Sequence, residues 1–65
     1  VSRADFHQHN AERANAEARR LLDQQAALGP RWLAWVATEL YRLGPPEYTA
    51  MVRRELERLH QAQQP

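Results

Sequence analysis

Cysteine, lysine and isoleucine are absent from this 65-residue chain, and glycine occurs only twice. Without cysteine, no disulfide and no thiolate zinc site can hold a small fold together. Without lysine, all nine basic residues are arginine, set against eight acids for a formal net charge of +1. The two signs are spread evenly along the chain, so the one-sided basic excess that phosphate neutralisation needs is missing. No apolar run approaches the roughly 20 residues of a membrane span. The opening VSRADFHQHN has no apolar h-region of the kind a secretory leader carries. These absences lead to the expectation of a soluble, cytoplasmic protein.

Groups for catalysis are equally sparse. The sole serine is Ser2. Gly29 and Gly44 each precede a proline and read as helix stops, not as a phosphate-cradling loop. His7 and His9 lie two residues apart, and on a helix they would point about 200° away from each other, too far to share a tetrahedral ion. The i,i+4 spacing used by zinc helices is met by Asp5 and His9, with no third ligand near in sequence. The expectation is no enzyme, no cofactor and no metal.

What remains is helix. Gly29-Pro30 and Gly44-Pro45-Pro46 cut the chain into three segments, and strand alternation is absent throughout. The predicted fold is all-α, with three helices over about 3–28, 30–43 and 46–62 and a frayed tail at about 61–65. All of it forms one small domain over residues 1–65. Ser2 is placed as the first N-cap. In helix 1 the positions Ala4, His7, Ala11, Ala14, Ala18, Leu21, Gln25 and Leu28 form a heptad-like seam of small residues, flanked by Phe6 and Leu22. Arg13–Glu17 and Arg19–Asp23 are i,i+4 pairs along its surface. In helix 2 the residues Trp32, Leu33, Val36, Ala37, Leu40 and Leu43 fill an arc of about 140°, a full core face. In helix 3 Tyr48, Val52, Leu56 and Leu59 make a narrow stripe with Met51 beside it. At ~1.5 Å per residue the first helix is as long as the other two laid end to end. The expected layout is therefore a long helix 1 packed antiparallel on helices 2 and 3. A chain this short buries only about 60% of the surface its unfolded form exposes, which favours a homodimer as a second source of stability.

One aromatic falls outside this scheme. Trp35 lies about 60° beyond the core arc of helix 2, beside Glu39 and Arg42, with Arg31 four residues before it and placed to stack on the indole. Tryptophan, tyrosine and arginine are the residue types that dominate interface energetics. Trp35, Arg31, Glu39, Arg42 and Tyr41 are therefore the candidate protein interface. The expected function is stoichiometric binding to another protein, to modulate or inhibit it. The alternative is a small DNA-binding or transcription-regulatory protein that reads nucleic acid with Arg53, Arg54 and Arg58 of helix 3, after a turn at Leu43-Gly44 that resembles a helix-turn-helix. That resemblance fails in detail, with Leu40 where a small residue is usual and Pro45 where an apolar one is.

Taken whole, the length, the arginine-only basic set, the helical hairpin layout and the WLAW segment resemble the small helical accessory proteins of temperate phages of high-GC bacteria. The resemblance implies a protein that binds one host protein, such as a regulator or a pilus-assembly component, and blocks it. It assigns no role to any single residue.

Overall fold

The computed structural model describes residues 3–63, leaving aside the side chains of Arg3 and Phe6. The expected Ser2 cap and the Phe6 flank thus lie outside the described residues. Helix is the dominant state, as the composition implies, but there are two helices where three were expected. The first, α1, is long and bent. Its N-arm is Arg3–Asp23, its elbow is a short helical turn, Gln25–Leu28, followed by a 3-10 turn, Gly29–Arg31, and its C-arm is Trp32–Arg42. The second helix, α2, is Pro46–Gln63.

Gly29-Pro30 therefore bends a helix that Gly44-Pro45-Pro46 ends. At Gly29 the backbone takes φ +57, a conformation that side chains with a Cβ rarely adopt. Pro30, lacking an N–H, then starts a single 3-10 turn, closed when the Trp32 N–H donates to the Gly29 carbonyl. Helical bonding resumes at once, and the interruption is confined to one turn. At the second punctuation mark Leu43 is extended (φ −75, ψ 144). The next turn is rebuilt from outside, with the Thr49 N–H donating to the Pro45 carbonyl at 3.1 Å and the Thr49 hydroxyl to the Leu43 carbonyl at 2.9 Å.

The C-arm turns back along the N-arm as expected, but the end-to-end layout and the antiparallel course of the last helix fail. Arg13 reaches Tyr48, Asn15 reaches Glu55 and, at the start of the elbow, Gln25 reaches His60, so residue numbers along the N-arm and α2 rise together and the two run parallel. The short link after Arg42 explains this. It leaves room only to reverse direction, which lays the C-arm and α2 side by side and antiparallel, with Trp32 against His60. The elbow has already reversed the chain once, so α2 travels in the direction of the N-arm. The assembly is a slab with principal extents of 41 × 27 × 13 Å.

The core sits where the small-residue seam meets α2. Ala14, Ala18, Leu21 and Leu22 of the N-arm are buried with Trp32 and Val36 of the C-arm and Tyr48, Met51, Val52 and Leu56 of α2. One buried bond ties the elbow shut. The Trp32 Nε1–H donates to the Leu21 carbonyl at 2.8 Å. The same carbonyl accepts the Gln24 N–H at 3.3 Å, so the indole adds a second, closer donor from eleven residues away. Among the described residues no helix is long and apolar enough to cross a membrane.

Candidate functional site

With the core direction set by Trp32 and Val36, the remaining C-arm residues fall on two flanks. One faces the N-arm. There Trp35 is half-buried, and the guanidinium above its ring, 6.0 Å from the centroid, belongs to Arg20 of the N-arm, with Arg31 left exposed. Arg20 also grips Glu17 through two bonds of 2.9 and 3.1 Å and reaches Glu39 at 3.2 Å, while Arg42 approaches Glu39 at 3.8 Å. Donating first to Glu17 and then to Glu39 pushes the Arg20 guanidinium further from deprotonation. The same bond from Arg20 pulls the Glu17 carboxyl below its ordinary range. Of the predicted interface, Trp35 and Glu39 thus meet at Arg20 with Arg42 joined through Glu39, and the i,i+4 pair expected between Arg13 and Glu17 gives way to Glu17–Arg20. Arg13 instead lies over the Tyr48 ring.

The other flank faces away from the N-arm. Leu33, placed in the core face by sequence, is 71% exposed, and Tyr41 is 91% exposed. Ala34 and Ala37 between them are exposed as well. Leu33, Ala37 and Tyr41 follow at i, i+4 and i+8, so they form one line along the helix with no charge in it. The correction has a geometric cause. Trp32 and Val36 point at the centre of the slab, and Leu33 sits about 100° round the helix from Trp32, past the edge of α2. Sequence periodicity contains this line but gives no sign of which side of the arc a neighbour covers.

Between the line and α2 runs an open furrow with two shallow hollows. One, of about 280 Å³, is lined by residues including Leu40, Tyr41, Ala50 and Arg53. The other, of about 180 Å³, is lined by residues including Leu33, Val36, Leu56 and Glu57. Leu40 and Arg53 belong to both. Both hollows are apolar-floored and too open to exclude water around a reacting group.

Of the arginines of the nucleic-acid alternative, Arg54 and Arg58 lie on one face of α2 at i and i+4, and Arg53 lies apart from them. Arg53 sits on the furrow rim, about 100° round α2 from its exposed neighbour Arg54. Arg58 is paired with Glu55. Bonds from Arg58 and from the Asn15 amide (2.6 Å) hold the Glu55 carboxyl at about 2. Arg19 binds Asn15 in turn at 2.9 Å, where a pair with Asp23 was expected. This chain of polar groups bridges the N-arm to α2. Among the described residues no three His, Cys, Asp or Glu side chains gather as metal ligands. His7 and His9 are exposed, and the third histidine, His60, packs against Trp32.

Comparison with family models, with curated proteins and with solved structures finds no match to this chain.

Proposed function

We propose that the chain works without chemistry, as a helical module that binds another protein stoichiometrically through its C-arm and thereby modulates or inhibits it. The observation that carries this reading is the exposure of Leu33 and Tyr41 on the same helix that anchors the core with Trp32 and Val36. Scattered apolar residues on a surface need no explanation, and a continuous line beside an apolar furrow is what supports reading this one as a docking surface. On the opposite flank of the same helix, toward the N-arm, Trp35, Glu39 and Arg42 add the mixed aromatic and charged side chains usual at interfaces.

The test is capture from host lysate with immobilised wild type, Leu33→Ser/Tyr41→Ser and Trp35→Ala. Substitutions at such exposed positions move stability by no more than about 0.5 kcal/mol, so circular dichroism and melting should match wild type for the double variant. The expected result is a protein retained in equimolar amount by wild type and lost by the double variant. Equal retention by all three would overturn the reading.

A further inference from the structure

We infer that a second copy of this chain covers the outward line of the C-arm, in a dimer whose two-fold axis passes beside Ala37. This rests on the reading of the C-arm as a docking surface and names one occupant of it.

The pattern of the line is its own complement. Leu33 lies four residues before Ala37 and Tyr41 four after. Antiparallel packing of two C-arms about Ala37 sets each Leu33 against the partner's Tyr41. The small side chains of Ala34 and Ala37 at the centre let the two backbones approach. A two-fold contact of this kind is isologous, and it closes on itself without leaving a free face.

The charges on α2 fit the same axis. Trp32 and His60 stand opposite each other, ring centroids 5.3 Å apart, and the C-arm and α2 run antiparallel from that pair. Five residues along, Ala37 is level with position 55, midway between Arg53 and Glu57. Both are exposed on the furrow rim, and neither makes an ion pair among the described residues. A two-fold axis perpendicular to the C-arms keeps the two α2 edges on the same side and reverses their direction. Arg53 of each copy then faces the partner's Glu57. Parallel packing would instead set Arg53 against Arg53 and Glu57 against Glu57.

The area is sufficient for a reversible dimer. A side chain such as Tyr41 contributes roughly 200 Å². With Leu33, the alanines and the furrow rim, the two copies together cover on the order of 1,000 Å², the lower edge of specific interfaces. Trp35, Glu39 and Arg42 lie on the opposite flank, beside Arg20 of the N-arm and outside this contact.

Sedimentation equilibrium of the intact chain tests this. Wild type should rise from 7.6 kDa to twice that mass as concentration passes through the micromolar range. Arg53→Glu and Glu57→Arg each place like charges across the axis and should weaken the dimer about tenfold or more, while Arg53→Glu/Glu57→Arg together should restore it. Wild type that stays monomeric at millimolar concentration, or a double reversal no better than its single parents, would overturn the inference. If wild type is monomeric yet Leu33→Ser/Tyr41→Ser still abolishes capture of a lysate protein, the second copy is wrong and the docking surface stands. If dimerisation is unaffected by Leu33→Ser/Tyr41→Ser, the dimer forms elsewhere and this inference fails, while capture decides the docking surface independently.

Discussion

α2 meets the two arms of α1 in different ways. Against the N-arm it closes on a seam of alanines, with Ala18 and Val52 both fully buried. The edge is sealed by a ladder of polar side chains from Arg19 through Asn15 and Glu55 to Arg58. Against the C-arm it meets Trp32 and Val36 at depth, but Leu40 and Leu43 fill the space only partly, and an apolar furrow stays open beside Arg53 and Glu57. The contrast separates stability from binding. Small residues bring helices close enough to exclude water along a whole edge. Bulky ones wedge them apart and leave apolar surface and unneutralised charge on the outside.

The largest effect should come from the same substitution made on both surfaces. Ala18→Leu adds three carbons to a filled seam and should cost about 1–3 kcal/mol, read by urea denaturation, a large part of the ~3–5 kcal/mol a core of this size supplies. Ala37→Leu, on the exposed line, should leave monomer stability within about 0.5 kcal/mol. Equal costs would erase the distinction between the arms. Next comes Trp32→Phe, which keeps the ring but leaves the buried Leu21 carbonyl without the indole. A loss of about 1–2 kcal/mol is expected, seen as a fall in melting temperature.

The polar ladder should show itself through pH. The Glu55 carboxyl titrates at about 2 in the folded chain, against roughly 4.3 for an unperturbed glutamate. A depressed folded value means that its contribution is fully present above about pH 4.3 and is lost as pH falls towards 2. Because the pair is partly solvated, the amount is less than about 1 kcal/mol. Urea melts of wild type and Glu55→Gln should therefore differ at pH 6 and converge near pH 2. The smallest effect belongs to the other flank. Arg20→Ala should cost a few tenths of a kcal/mol and, in a Trp32→Phe background, shift Trp35 emission to the red as its ring loses its cover.

Much of this core is legible from helical spacing. Ala14, Ala18, Leu21, Trp32, Val36, Tyr48, Val52 and Leu56 are buried because a 3.6-residue period puts them on one stripe of each helix. Two kinds of information are not. Gly29-Pro30 and Gly44-Pro45 look alike as sequence, yet one is an elbow and the other an end, because the residues after them differ. Trp32 re-enters helix at once and is held by Leu21, whereas Pro46 leaves a second gap in the N–H series. Nor does spacing say which side of an apolar arc a neighbour will cover. It makes Leu33 core and Trp35 the outlier, but reversal at the elbow and again at Leu43 brings Arg20 over Trp35 and leaves Leu33 bare. The parallel run of the N-arm and α2 comes from those two reversals and from no local feature.

The absence of cysteine provides the most direct measurement of the central claim, that the outward line of the C-arm is a surface built to be covered by its own copy. Ala37→Cys places a single thiol at the proposed axis, facing its own copy, while Ala26→Cys places one on the exposed surface of the elbow. Under mild oxidation at micromolar concentration the account predicts a rapid covalent dimer from Ala37→Cys, suppressed by Leu33→Ser/Tyr41→Ser, and only slow collisional dimer from Ala26→Cys. Equal rates for the two cysteines would contradict it.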